Sequence, residues 1–200
     1  KGLYWRSENI KRLHTADEPQ AVKDTLSKAL EDCRVLITLG GVSVGDRDFI
    51  KPVLEEMGVR TVFWKVAIKP GKPVYFAVTA AGQLIFGLPG NPVSALITFH
   101  LFVKPALKIL MGDKTPRSPL TTLKARLTAS LKKKAGRLDF VRARLQVDEE
   151  GNLSVTPTTG QDSHMLSGLA SANALINFES HLEYLPEGAT VTVMPLSWSW

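Results

Sequence analysis

The spacing of hydrophobic and polar positions along the chain changes character near its middle. Val22, Leu26, Ala29 and Leu30 recur at helical spacing behind Asp17, Glu18 and Pro19, which predicts an acid-capped helix with proline in its first turn. Arg34–Leu39 is a short, β-branched apolar run that Gly40 and Gly41 end, as in a strand buried on both faces. Ile50, Val53, Leu54 and Met57 return to a helical repeat, with Asp46 and Asp48 in cap positions and Gly58 as the stop. Arg60–Ile68 reads as one further strand, and Pro73–Val78 with Gln83–Leu88 flank Thr79-Ala80-Ala81-Gly82 as a hairpin. Val93–Val103 predicts a buried helix, kinked or broken near Pro105 and far shorter than the ~20 residues a membrane span needs. This succession predicts a three-layer α/β/α unit.

After Met111-Gly112 and the linker-like Asp113–Pro119 the period becomes two. Leu123, Ala125, Leu127, Ala129 and Leu131 alternate with polar residues, and so do Val141, Ala143, Leu145 and Val147, with Arg142 and Arg144 on the opposite face. Leu153, Val155, Val191 and Val193 continue the pattern. A small all-β barrel or sandwich is expected. The domain reading is an irregular lead-in over 1–16, an α/β domain over 17–114 and a β domain over 115–200.

Composition narrows the chemistry. With 44% hydrophobic and 22% charged residues, wholesale disorder is excluded. Cys33 is the sole cysteine, which rules out an internal disulfide and a thiolate zinc site. Lys1 opens no basic-then-apolar leader, so a soluble cytoplasmic protein is expected. The net charge of +6 is uneven: residues 104–144 carry +10, while 145–200 hold seven acids and no Lys or Arg. Such a block suggests an anionic partner, either nucleic acid or a small phosphorylated ligand.

Three segments carry candidate chemistry. Gly40-Gly41-Val42-Ser43-Val44-Gly45-Asp46-Arg47-Asp48 links a strand to a helix, where unpaired backbone N–H groups favour an anion. Gly41, Ser43 and Gly45 suit close approach to phosphate, and Asp46 and Asp48 could serve as caps or hold Mg²⁺. The same segment matches the nucleophile pattern G-x-S-x-G, with Ser43, Asp113 or Asp139, and His164 as a writable triad. That pattern needs a helix beginning at the serine, whereas the periodicity starts after Gly45. In Trp64-Lys-Val-Ala-Ile-Lys-Pro-Gly-Lys-Pro, strand parity puts Lys65 and Lys69 on one face, with Pro70-Gly71 turning Lys72 back. Gly87-Leu88-Pro89-Gly90-Asn91-Pro92-Val93-Ser94 is a second strand-to-helix loop, in which Asn91 or Ser94 could cap the helix or touch a ligand.

GGVSVGDRDF, KVAIKPGKP and GLPGNPVSA, in this order, resemble the C-terminal half of the MoeA family of molybdopterin molybdenumtransferases, which includes gephyrin-like E domains. GRLDFVR (136–142) and TGQDSHMLSGLASAN (159–173) resemble the C-terminal β domain of that family. The resemblance implies Mg²⁺-dependent insertion of molybdate into adenylylated molybdopterin with release of AMP. Asp48 resembles the essential acid near the metal, and Lys65 and Lys69 resemble substrate-contacting lysines. Lys72, Ser94, Arg142 and Ser167 resemble a molybdate pocket shaped by Pro89, Asn91 and Pro92. The resemblance further implies a homo-oligomer and an upstream adenylyltransferase as partner. The family's TGDE-like and DSN-like acidic segments have no counterpart here, so the chain is expected to be part of a longer enzyme. A non-catalytic scaffold, or an anion- or nucleic-acid-binding module, is the alternative; the few aromatic residues of the β half weigh against nucleic acid.

Overall fold

The structure, a computed structural model, describes residues 10–42, 48–113, 121–161 and 166–196. They divide into two compact units. The first takes the chain as far as Lys65 and adds Pro73–Gly90, while the second takes Val66–Lys72 and the chain from Asn91 onward.

In the first unit, α1 (Pro19–Leu30), β1 (Val35–Leu39), α2 (Ile50–Glu56) and β2 (Arg60–Trp64) lead into the hairpin β4 (Tyr75–Val78) and β5 (Leu84–Leu88). The sheet order is β1-β5-β4-β2, with β1 parallel to β5 and the other pairs antiparallel. Helices α1 and α2 pack together over a core of Val22, Leu26, Ile50, Val53, Leu54, Tyr75, Ala77 and Ile85. Two expectations need correction. Strand β1 is not buried on both faces: it is an edge of this sheet, and Ile37 and Leu39 are exposed. The N-cap of α1 is Glu18, which makes no side-chain cap bond, and the N-cap of α2 is Phe49 rather than an acid, with Asp46 outside the described residues.

The second unit begins with β3 (Ile68–Lys69). Arg60–Ile68 is therefore not one strand, because Lys65 adopts φ 63° and turns the chain out of β2. Beyond Asn91 come α3 (Pro92–Thr98), a π-helical turn (Phe99–Val103) and α4 (Lys104–Leu110). They form one continuous helix, Pro92–Leu110, of 19 residues. Pro105 does not break it. A proline cannot donate to the preceding turn, and the wider π turn just before it absorbs that loss. The helix is long and apolar enough to cross a membrane by length and composition alone, but Val93, Ile97, Thr98, Leu101 and Val103 are buried within the protein.

The β domain contains β6 (Leu123–Leu127), β7 (Leu131–Lys132), β8 (Leu138–Val147), β9 (Leu153–Pro157), a short helix α5 (Leu166–Ala170), β10 (Ala174–Phe178), β11 (Tyr184–Leu185) and β12 (Thr190–Pro195). The ladder β10-β12-β6-β9-β8 closes through β8–β10 into a five-stranded barrel, and β3 adds to β8 in parallel. Ala125, Leu127, Ala143, Val155, Ile176, Val191 and Val193 fill it. The alternation holds in the barrel but fails in places. Residues 123–131 are not one strand, since β7 pairs with β11 instead, Val147 is exposed at a strand end, and Arg142 is buried.

Candidate functional site

In the first unit the glycine loop is rooted at the carboxyl ends of the parallel pair β1 and β5, where open α/β sheets place ligands. The Gly40 amide donates to the Leu88 carbonyl (2.9 Å), and the Ile50 amide to the Gly41 carbonyl (3.2 Å). Gly41 has φ 69°, and a Cβ there would lie 2.7 Å from Ile50 Cγ1. Gly40 and Gly90 approach so closely that a Cβ on Gly90 would meet Gly40 Cα at 3.5 Å, so the two loops touch backbone to backbone. Pro89, next to Gly90 in the second loop, is buried, and Asp48 is half-buried just ahead of α2. Helix α2 begins at Ile50 and not at Ser43, where the nucleophile pattern needs its helix to start. Ser43, Gly45, Asp46 and His164 lie outside the described residues.

Trp64 ends β2 with its indole Nε1 donating to the Val42 carbonyl at 3.0 Å. Lys65 comes next, in the left-handed region, which costs a non-glycine residue roughly 1–2 kcal/mol. The turn folds its side chain back, and Nζ lies 3.8 Å from the centre of the Trp64 ring.

The second unit gathers most of the remaining candidates on elements that contact one another. Strand β3 pairs with β8 so that Lys69 faces Asp139, with Nζ and Oδ2 4.0 Å apart. Strand parity therefore does not relate Lys65 to Lys69: the two belong to different units, and the turn at Lys65 separates β2 from β3. Gly71 lies against α3, and its φ of 111° suits glycine; a Cβ would lie 2.3 Å from Thr98 Cγ2. This contact, with the Val66 amide donating to the Lys72 carbonyl (2.9 Å), fixes the turn that presents exposed Lys72. Asn91 caps α3, its Oδ1 accepting from the Ser94 amide at 3.1 Å, with Pro92 at the helix start. Ser94 is buried.

Arg142 is 2% exposed, and its Nη2 donates to the Gly160 carbonyl at 2.7 Å. Its backbone is clasped by Gln161, whose Oε1 accepts from the Arg142 amide (3.1 Å) while Nε2 donates to the Arg142 carbonyl (2.8 Å). Helix α5 rests on the same loop: a Cβ on Gly168 would meet the Thr159 and Gly160 carbonyl oxygens at 2.7 Å. It also packs on α3 and presents exposed Ser167. Arg142 and Ser167 are therefore held by one loop. On the same long helix as Ser94, His100 is buried, and desolvation, aided by Lys104 and Lys108, lowers its pKa to about 4.

Sequence reasoning did not single out Trp64, Thr98, Gly160, Gln161 or Gly168. For Gln161 and Gly168 the signal was present in TGQDSHMLSG, whereas nothing in the sequence ties Trp64 to Val42. Thr38, whose buried hydroxyl has no partner among the described residues, also stands at the root of the glycine loop. A concavity of about 650 Å³ lies on the β domain, lined by Lys124, Arg126, Asp148, Glu150, Asn152 and Thr190 among others. It contains none of the candidate residues, and its mixed charges do not suit an anion.

No group of three or more His, Cys, Asp or Glu side chains able to hold a metal occurs among the described residues. Asp48 by itself fits Mg²⁺ only in the mode in which one or two carboxylates share the ion with water and substrate phosphates.

Residues 7–109 match the family model described as a probable molybdopterin binding domain, and 124–196 match the MoeA C-terminal region, domain IV. The chain belongs to the MoeA family. It is 43% identical over 163 residues to the molybdopterin molybdenumtransferase of Haemophilus influenzae, covering 82% of this chain and 40% of that protein. The Bacillus subtilis molybdopterin molybdenumtransferase is 36% identical over 191 residues, covering 92% and 44%. The crystal structure of a molybdopterin biosynthesis MoeA protein from Pyrococcus horikoshii superposes with a TM-score of 0.71 at 27% identity, over 90% of this chain and 42% of that one. This MoeA-family chain thus spans less than half the length of those relatives.

Proposed function

We propose that the chain contributes to molybdenum cofactor biosynthesis as part of a transferase that inserts molybdate into adenylylated molybdopterin and releases AMP. The observation that carries this reading is that Lys69, Lys72, Asn91, Ser94, Arg142 and Ser167 lie within one unit, on β3 and its exit turn, α3 and its N-cap, β8 and α5, elements packed in contact with one another. Ammonium, guanidinium and hydroxyl donors so placed suit a tetrahedral dianion through charge-assisted hydrogen bonds. In the first unit, Gly41 and Asp48 of the glycine loop and Lys65 of the turn after β2 would contact phosphate, with Ser43, Gly45 and Asp46 as further contacts. Mg²⁺ would neutralise charge on the scissile phosphate, with Asp48 and Asp46 as its carboxylates. The two family matches support the sequence domains 17–114 and 115–200, and the exposed apolar face at Ile37 and Leu39 supports a further layer over the sheet. A homo-oligomer, an adenylyltransferase partner and a cytoplasmic location belong to the same proposal.

Thermal melts with sodium molybdate, and separately with AMP and MgCl₂, test it. A ligand at about one hundred times its Kd raises stability by about 2.7 kcal/mol. Each should raise Tm, and no shift from either at millimolar concentration contradicts the proposal.

A further inference from the structure

We propose that Trp64 is a positioning residue that sets both Lys65 and Val42, at the root of the glycine loop, for a phosphate-bearing ligand. The inference rests on the reading of Lys65 and that loop as ligand contacts, and it deepens it. In a regular strand, consecutive side chains point to opposite faces, so an ammonium cannot reach its predecessor's ring. The left-handed turn at Lys65 removes that separation, and the ammonium settles 3.8 Å from the indole centre, within the range of a cation–π contact. The edge of the same ring donates through Nε1 to the Val42 carbonyl at 3.0 Å, the last described backbone group before the loop continues to Ser43.

One rigid side chain therefore ties two chain segments 22 residues apart in sequence. Three further contacts hold the indole in place. It packs against the core formed by Val42, Ile50 and Tyr75. Its strand register pairs it with Tyr75, and Lys51, neutralised by Glu55, lies 4.9 Å from the ring. The Lys65 amide donates to the Val74 carbonyl at 3.1 Å, closing the turn. The position of the ammonium is thus set before any ligand arrives, which lowers the cost of ordering a lysine on binding.

The test is a titration of the full chain with AMP and MgCl₂, alongside ¹H NMR of the Lys65 ε-methylene in the unliganded protein. Replacing Trp64 by a fluorinated tryptophan keeps shape and N–H but weakens the ring face, and should weaken AMP binding about threefold. Trp64→Phe keeps a ring and loses the bond to Val42, with a loss of about five- to tenfold expected. In a Lys65→Met background the fluorinated residue should have no further effect, a coupling that simple loss of packing would not produce. The ε-methylene should resonate upfield of free lysine in the wild type and return to its ordinary position in Trp64→Leu, which has no ring. Unchanged AMP affinity in the fluorinated and Phe variants overturns the proposal. If the wild type binds no AMP, the reading of the loop fails, and an ordinary ε-methylene position in the wild type would overturn the positioning role as well.

Discussion

The two units hold their functional side chains by different means. In the second, the barrel closes through β8–β10, and Arg142 is buried in a web of bonds to Gly160, Gln161 and Thr158. In the first, the sheet is open at β1, and Lys65 is exposed, held by a left-handed backbone and the face of one indole. A group locked into a closed core can be altered only at the expense of the fold. One presented on a strained loop can be altered with the fold intact. Stability and ligand binding should therefore be coupled at buried Arg142 and separable at exposed positions such as Lys65 and Lys72.

The largest effect that would break this comparison is at Arg142. Arg142→Ala leaves a cavity and an unpaired Gly160 carbonyl, and should cost about 4 kcal/mol in urea unfolding; a loss below about 1 kcal/mol would show that the buried web is not structural. Gly71→Ala comes next, at about 3 kcal/mol, because the added Cβ meets Thr98 Cγ2 at 2.3 Å and the φ of 111° disfavours alanine. Thr98→Ser removes that methyl, so the double variant should recover part of the loss; strict additivity would deny the contact.

A smaller effect is expected from acid. The folded-state pKa of His100 is about 4 against an ordinary 6.5, through burial first and then Lys104 and Lys108. Between these values the unfolded chain binds a proton that the folded chain does not. Stability is then full above about pH 6.5 and falls as the pH drops toward 4, by on the order of 2 kcal/mol. Melting scans of the wild type and His100→Gln across this window should diverge as the pH falls, and parallel curves would contradict the assignment.

How much of the fold and the site was legible in sequence depended on whether the signal was local. The helical repeat of Val22 and Leu26, the hairpin around Thr79–Gly82 and the cap at Asn91 all rest on neighbours, and each formed as the pattern indicated. The errors came where a single residue or turn redirects the chain. Lys65 at positive φ ends a strand that composition would have continued to Ile68. A π turn keeps the helix going through Pro105. Alternation assigned Arg142 to the outer face, whereas the family motif placed it in the pocket, and its burial comes from a loop 16 to 19 residues away. The candidate lysines were found by motif, but strand parity could not place them, since Lys65 and Lys69 belong to different units.

The most direct measurement is calorimetric titration of the chain with molybdate, comparing the wild type with Lys72→Gln. Lys72 is exposed, so the variant should melt like the wild type without ligand and bind molybdate about tenfold more weakly, as expected for the loss of one charged hydrogen bond. Equal affinity in the two proteins, or no molybdate binding by the wild type, would contradict the account.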